Sequence, residues 1–167
     1  ILEISHRGKE FQAVIDETTA LLKELLSIGD QYEVLYTTGG ATNQFSMVPM
    51  NLLTPGSTAN YIITGSWAQN AYKEAGKFGK THAAASSKDK NFSYIPDTYD
   101  ITADCCYCHF TSNNTIFGTQ FAKEPEVGGA LLICDASSDF LHKKIDVNRY
   151  GLIYAGAQKN LGPAGVT

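Results

Sequence analysis

The sequence predicts an α/β domain built on a mostly parallel β-sheet, and two patterns carry this prediction. Short apolar runs of strand length recur along the chain, and helix-forming stretches separate several of them. Strands that alternate with helices are typical of a doubly wound sheet. Polar and small residues follow the ends of these runs, where open α/β sheets bind their ligands. The 167 residues are enough to enclose one hydrophobic core.

Helix and strand signals alternate in the first part of the chain. Apolar residues at helical spacing predict an amphipathic helix over residues 10–28, and we expect its apolar stripe to lie in the core. A strand is predicted over 33–37. The glycine pair at 39–40 then opens a helix that runs toward Leu53. Free backbone N–H groups and the helix dipole favour an anion there, so we interpret this turn as a phosphate site.

The middle of the chain predicts two strands around one helix. The strands are predicted over 60–63 and 81–86. Between them, Ser66 and Gln69 form a capping-box pattern for a helix that runs to about Phe78.

The remainder of the chain predicts three more strands. The segment 88–100 is polar and contains proline, so we expect a loop there. The strands are predicted over 103–111, 131–134 and 151–154. The asparagine pair at 113–114 is expected to form a turn.

Composition argues against several classes of protein. The net charge is −4 and no cluster of Lys and Arg stands out, so we expect no nucleic-acid partner. No apolar run approaches the roughly 20 residues of a membrane span, and we recognise no signal peptide. The four cysteines lack the spacing of zinc ligands. We therefore expect a cytoplasmic protein with reduced, packed cysteines and with neither a membrane nor a metal site.

Side chains at neighbouring strand ends suggest a cofactor. Lys159 follows the last strand, and Asp135 directly follows the strand over 131–134. A desolvated lysine can form a Schiff base, and an aspartate that keeps a pyridinium nitrogen protonated accompanies it in pyridoxal phosphate sites. A surface lysine after a strand is commoner, and Asp135 is what favours the cofactor. Trp67, the only tryptophan, is either a core residue or a ring that stacks on a flat ligand.

Six short blocks occur in the order and at the spacing of one enzyme family, and together they resemble phosphoserine aminotransferase. Each block alone is weak, but six in order are specific, and they span the chain. The blocks are Ser5-His6-Arg7, Gly39-Gly40-Ala41 with Gln44-Phe45, Thr64-Gly65-Ser66-Trp67, Asn113-Asn114-Thr115-Ile116 with Gly118, Asp135-Ala136-Ser137-Ser138-Asp139 and Ala155-Gly156-Ala157-Gln158-Lys159-Asn160.

The resemblance implies a fold, a cofactor and an assembly. The fold is the large domain of a fold-type I, aspartate aminotransferase-like enzyme, a three-layer α/β/α sandwich that binds pyridoxal 5'-phosphate. Residues 1–167 would form this domain, without a short N-terminal segment and without the C-terminal domain of the family. The family works as a homodimer whose partner contributes phosphate contacts from beyond Thr167. We therefore expect little activity from residues 1–167 alone.

The resemblance also implies roles for individual residues. Lys159 would hold the cofactor and carry the α-proton of the substrate, Asp135 would pair with the ring nitrogen, and Trp67 would cover the ring. The remaining implied contacts are Ala41, Thr42, Thr115 and Gln158 with the cofactor, and His6 and Arg7 with the substrate.

The implied reaction is reversible amino transfer from glutamate to 3-phosphohydroxypyruvate, which gives phosphoserine and 2-oxoglutarate in serine synthesis. A related phosphorylated hydroxythreonine in vitamin B6 synthesis is a second implied substrate. Three alternatives stay open. They are another fold-type I enzyme, such as an alanine–glyoxylate aminotransferase or a cysteine desulfurase, a phosphate-binding module without chemistry, and a fragment that is inert as it stands. The Ser5-His6-Arg7 block argues against the first alternative.

Overall fold

A five-stranded parallel sheet forms the centre of the molecule. The structure, a computed structural model, describes residues 3–167. Its strands are β1 (Thr58–Ile63), β2 (Lys80–Ser86), β3 (Cys105–Thr111), β4 (Asn113–Asn114), β5 (Thr119–Gln120), β6 (Leu131–Asp135) and β7 (Leu152–Tyr154). The central sheet has the order β2-β1-β3-β6-β7, and every neighbouring pair in it is parallel. The strands β4 and β5 form a separate antiparallel hairpin.

Helices cover one face of this sheet. The described residues form α1 (Lys9–Leu26), α2 (Gln44–Leu52) and α3 (Ser66–Ala75). The helices α2 and α3 pack against each other, and α3 packs on β1. Phe45, Tyr61 and Ala71 belong to the buried cluster on this face. On the opposite face, irregular segments contribute Phe121 and Tyr150 to a second cluster. All six residues of β1 are buried, as expected for a strand that is covered on both sides.

The register of the strands brings their carboxyl ends to one edge. Thr111 at the end of β3 pairs with Asp135 at the end of β6, and Asp135 pairs in turn with Tyr154 at the end of β7. The segments that follow β1, β3, β6 and β7 therefore leave the sheet side by side. This is the edge at which the sequence predicts a ligand.

The predicted α/β class and the parallel sheet are confirmed. The strands predicted over 60–63, 81–86, 103–111 and 131–134 are β1, β2, β3 and β6, and their ends shift by at most two residues. The last predicted strand, over 151–154, is β7. The helix predicted from residue 10 onward is α1.

The strand predicted over 33–37 is wrong. This segment is irregular, and the strand-like pairing next to it is one isolated antiparallel bridge between Thr38 and Val166. The backbones of Thr37 and Thr167 exchange two hydrogen bonds beside that bridge. Strand propensity produces a strand only where a partner pairs along its length, and here the pairing is too short.

Two predictions about local signals are also wrong. The capping box does not form, because α3 already includes Ser66 and no side chain caps it at Gly65. The asparagine pair at 113–114 forms β4 rather than a turn, since it pairs with β5. The capping-box signal still marks the place where α3 begins, whereas the turn of the β4–β5 hairpin lies at residues 115–118, directly after the asparagine pair.

The apolar stripe of α1 is core only in part. Leu22 and Leu26 are buried, whereas Leu25 is 60% exposed and Val14 is also exposed. Among the described residues no helix or strand packs extensively on α1, so the expected burial of its stripe is incomplete.

The four cysteines are free thiols. Cys108 and Cys134 are buried in the cluster on the second face, which confirms the predicted packing role for these two. Within residues 3–167, no group of three or more side chains of the metal-binding types is placed to hold an ion. A membrane-spanning helix is likewise not found over this range.

We expect Ile133→Ala to lower the free energy of unfolding by about 2–5 kcal/mol, because Ile133 is fully buried in β6 and the change leaves a cavity. Leu25→Ala is the matched control, since the Leu25 side chain is largely exposed, and its effect should stay within about 0.5 kcal/mol. Urea unfolding measures both. A loss in Leu25→Ala as large as that in Ile133→Ala would contradict this description of the core.

Candidate functional site

Three of the predicted residues come together at the carboxyl edge of the sheet. Trp67 lies in the first turn of α3, Asp135 ends β6, and Lys159 lies in the turn after β7. Nζ of Lys159 lies 5.8 Å from the centroid of the Trp67 ring, within the range of a cation–π contact. The charge of Lys159 also lowers the pKa of the Asp135 carboxyl group. An amine, an aromatic face and a carboxyl group therefore share this edge.

The carboxyl group of Asp135 is buried, with 5% of the residue exposed. Burial raises its pKa above the usual value because desolvation disfavours the charged form. Hydrogen bonds from Ser137, the charge of Lys159 and the hydroxyl of Tyr154 act in the opposite direction. Oδ1 accepts the backbone N–H of Ser137 at 3.0 Å and its hydroxyl at 2.6 Å. Since both bonds reach Oδ1, the lone pairs of Oδ2 remain for other donors.

Ser137 also connects Asp135 to the turn that carries the lysine. Its hydroxyl donates to Asp135 and at the same time accepts the backbone N–H of Gly156 at 3.2 Å. Gly156 lies three residues before Lys159. One serine hydroxyl is thus the hydrogen-bonded junction between the acid and the segment that presents the amine.

The turn in front of Trp67 depends on a glycine. Gly65 has an extended backbone, and the Asn114 side chain fills the space beside its Cα, so that a Cβ at this position would overlap the amide. Nδ2 of Asn114 donates to Oγ1 of Thr64 at 2.9 Å. Its Oδ1 is buried and has no hydrogen-bond partner in the described part of the chain. This close packing fixes the start of α3 and hence the position of Trp67.

The predicted phosphate turn has the backbone that an anion needs. Gly39 adopts a φ of +93°, which favours glycine, and a short 3-10 turn begins at Ala41 and leads into α2. The N–H groups of Ala41 and Thr42 have no backbone acceptor within residues 3–167. Such free N–H groups at the start of a helix attract a phosphate. Ala41 and Trp67 pack against the same buried cluster.

The other predicted residues are exposed, and so is Lys159 itself, so the described residues do not supply the burial that the sequence analysis expected around this amine. His6 and Arg7 lie in the turn before α1, and among the described residues neither side chain makes a hydrogen bond or an ion pair. Thr115 lies between β4 and β5, and Gln158 precedes Lys159. No described contact joins His6 or Arg7 to the lysine, so the structure does not bring these two into the group at the sheet edge.

Sequence analysis does not single out two buried residues behind this edge, His109 and Tyr154. His109 is 2% exposed, and its Nε2 lies 2.9 Å from the Tyr154 hydroxyl. Its ring stacks on Tyr61 with the centroids 5.0 Å apart. Burial lowers the pKa of His109 to about 3, so the ring is neutral near pH 7. In the sequence each is one polar residue within an apolar run, and such residues most often belong to the core.

The residues at this edge fit the parts of pyridoxal phosphate one by one. A carboxylate with free lone pairs suits a cationic ring nitrogen, and a lysine amine suits the aldehyde carbon. The indole face suits the ring, and the free N–H groups of the opening turn suit the phosphate. The chain thus offers the right chemistry for each part of the cofactor.

Comparison with known proteins points to one family. The aminotransferase class-V family model matches residues 2–167. A phosphoserine aminotransferase of Parabacteroides distasonis is 58% identical over 167 residues, which cover 100% of this chain and 46% of that protein. The chain therefore spans about half the length of this curated relative.

Solved structures agree with this match. The phosphoserine aminotransferase from Bacillus circulans subsp. alkalophilus is 50% identical with a TM-score of 0.94, and the match covers 99% of this chain and 46% of that one. A phosphoserine aminotransferase from Trichomonas vaginalis, described as bound to pyridoxal phosphate, is 34% identical with a TM-score of 0.91 and has 99% and 47% coverage.

We expect Gly65→Ala to destabilise the domain by about 1–3 kcal/mol and to shift the Trp67 fluorescence, because the new methyl group would displace Asn114 or the start of α3. Gly129→Ala is the matched control, since a Cβ there meets nothing within 4 Å. Thermal unfolding and tryptophan emission measure both effects. Unchanged stability together with unchanged emission in Gly65→Ala would contradict the packing described here.

The buried histidine predicts a pH dependence of stability. The pKa of His109 is about 3 in the folded state and about 6.5 when the chain is unfolded, so the unfolded state binds the extra proton between these values. The free energy of unfolding is therefore highest above pH 6.5. It decreases as the pH falls toward 3, by about 1.4 kcal/mol per pH unit.

His109→Gln should flatten this slope, which urea unfolding at pH 7 and pH 5 measures. An equal loss of stability in the variant and in the unmodified protein would show that other groups cause the slope.

Proposed function

This chain belongs to the aminotransferase class-V family, and from that premise we propose that it forms the cofactor-binding domain of a phosphoserine aminotransferase. Residues 1–167 would be the large domain of an enzyme that uses pyridoxal 5'-phosphate. The proposed reaction moves the amino group of glutamate to 3-phosphohydroxypyruvate. The 58% identical relative of that name and the solved structures support the choice of substrate.

One observation carries the cofactor part of this proposal. The amine of Lys159 lies 5.8 Å from the centroid of the Trp67 ring, and its charge acts on the buried carboxyl group of Asp135. These are the amine, the aromatic face and the acid that the sequence analysis selected from three separate segments of the chain. Their common position supports a single flat, cationic ligand.

The residues would act on the cofactor as follows. Asp135 would accept a hydrogen bond from the ring nitrogen and keep it protonated, and the indole of Trp67 would lie over the ring. The backbone N–H groups of Ala41 and Thr42 would hold the phosphate, together with the side chain of Gln158. When bound, pyridoxal phosphate supplies the sink for the electron pair that remains at the substrate Cα.

Other residues would act on the substrates and on the reacting proton. Lys159 would first hold the cofactor covalently and then, as a free amine, take the proton from Cα of the amino donor. Thr115 would donate a hydrogen bond beside the cofactor's phenolic oxygen. The planar fork of Arg7 would bind both oxygens of a substrate carboxylate, and His6 would lie near the substrate phosphate. Both of these side chains are exposed and accessible to a substrate.

We also propose that the active protein is a cytoplasmic homodimer. The free thiols at all four cysteines support a reducing compartment. The resemblance to the family supports the dimer. Sedimentation of the full-length protein measures its mass, and a monomeric enzyme with full activity would refute this assembly.

We expect full-length protein with bound pyridoxal phosphate to show a visible absorbance band and to be labelled at Lys159 by borohydride. Lys159→Ala should lose the band, the label and at least about 10²-fold of the turnover, because proton transfer at Cα is lost. Lys144→Ala is the control, since Lys144 is an exposed lysine of the same chain. Peptide mapping that places the label on another residue would overturn the assignment.

A donor and acceptor screen distinguishes the alternatives. Glutamate with 3-phosphohydroxypyruvate should be the preferred pair, and the phosphorylated hydroxythreonine should be tested as a second substrate. Alanine with glyoxylate or desulfuration of cysteine as the preferred reaction would refute the proposed substrate and leave the cofactor in place. Phosphate binding without the visible band would refute the enzyme itself.

A further inference from the structure

A buried polar pair lies behind the proposed site and has no role in the function proposed above. Tyr154 pairs directly with Asp135 across β6 and β7, and its side chain belongs to the cluster under α2 and α3. His109 lies on β3, where it stacks on Tyr61 and meets the Tyr154 hydroxyl through Nε2. Both polar groups are therefore buried on strands that lie directly beside β6, the strand that ends in Asp135.

The surroundings of His109 select one of its two neutral forms. Nδ1 is buried and has no hydrogen-bond partner within residues 3–167. An unpaired buried N–H costs more than an unpaired lone pair, because orphaned N–H groups are the rarer case in native structures. The proton therefore belongs on Nε2, which then donates to the Tyr154 oxygen.

This choice fixes the direction of the next hydrogen bond. A tyrosine oxygen that accepts from histidine keeps its own O–H available as a donor. Tyr154 is the register partner of Asp135 on the neighbouring strand, and its hydroxyl lowers the pKa of that carboxyl group, as a donor to the charged form does. Ser137 and Lys159 are the other groups that act on Asp135 in this direction, and Tyr61 is the ring that faces His109.

We propose that Tyr154 is a positioning residue for Asp135, with His109 Nε2–H fixing the tyrosine hydroxyl as a donor to the carboxylate. This series of hydrogen bonds, from His109 to Tyr154 and from Tyr154 to Asp135, keeps the carboxylate ionised and oriented. Ser137 holds the same carboxylate through its two bonds to Oδ1. Its consequence for amino transfer rests on the proposed function, whereas the hydrogen-bond chain is a property of the protein alone.

The first test uses the full-length, cofactor-free protein and is independent of activity. With 13C-labelled aspartate carboxyls, and with Asp135→Asn to assign the resonance, Tyr154→Phe should raise the titration midpoint of Asp135 by about one pH unit, a tenfold change in ionisation. Tyr107→Phe is the matched control, since it removes another buried tyrosine hydroxyl, which bonds to Tyr61. Equal midpoints in Tyr154→Phe and the unmodified protein would overturn the proposal.

A second measurement needs no variant and covers the case in which Tyr154→Phe does not fold. The 15N shifts of the His109 ring in the unmodified protein should show the proton on Nε2. A proton on Nδ1 would overturn the proposal, because Tyr154 would then have to donate to the histidine. In His109→Gln, whose amide can donate in place of Nε2–H, the titration midpoint of Asp135 should stay close to that of the unmodified protein. In His109→Phe, which has no donor, the midpoint should rise as it does in Tyr154→Phe.

The protein loaded with pyridoxal phosphate gives the third readout. Tyr154→Phe should lower kcat about tenfold and change the KM for glutamate less than twofold, because the hydroxyl acts through Asp135 and touches no substrate. If the midpoint shifts in a protein without aminotransferase activity, the inference stands and the proposed function fails. If an active protein shows no shift, the inference alone fails.

Discussion

The site depends on a carboxylate buried at the end of the central sheet. A buried acid is costly unless donors compensate for its lost hydration. Asp135 is compensated by two hydrogen bonds from Ser137 to one oxygen, by the charge of Lys159 and by Tyr154. Ser137 follows Asp135 in the same segment, whereas Tyr154 ends the neighbouring strand β7 and Lys159 lies in the turn after it. The alignment of β6 with β7 therefore allows the Asp135 carboxylate to be buried in its ionised form.

The sequence predicted the sheet because its strand signals match their burial. Leu131 to Cys134 is an apolar run in the sequence and a buried strand in the structure, apart from the exposed Leu131. The segment 33–37 carries a similar signal and forms no strand, because a strand also needs a partner and a short sequence window does not contain it. Local pattern predicts what a segment can form, and long-range pairing decides whether it does.

The site was predictable to the extent that its chemistry shows in residue type. Asp135, Trp67 and Lys159 were selected as an acid, an aromatic ring and an amine after strands, and the structure brings them together. His109 and Tyr154 could not be selected in this way. Their relation comes from the alignment of three strands, which no spacing along the chain reveals. The same holds for Gly65, which must be glycine because the Asn114 side chain occupies the space that a Cβ would take.

The double hydrogen bond of Ser137 has a mechanical consequence. One hydroxyl, that of Ser137, is bonded both to Asp135 and to the backbone of Gly156. Moving the acid away from the lysine-bearing turn would therefore break one of these hydrogen bonds. Their spacing is set before any ligand arrives, which reduces the ordering that binding would otherwise require. Substitutions in the segment of Asp135 and in the lysine-bearing turn should therefore have non-additive effects, since the two segments are in contact.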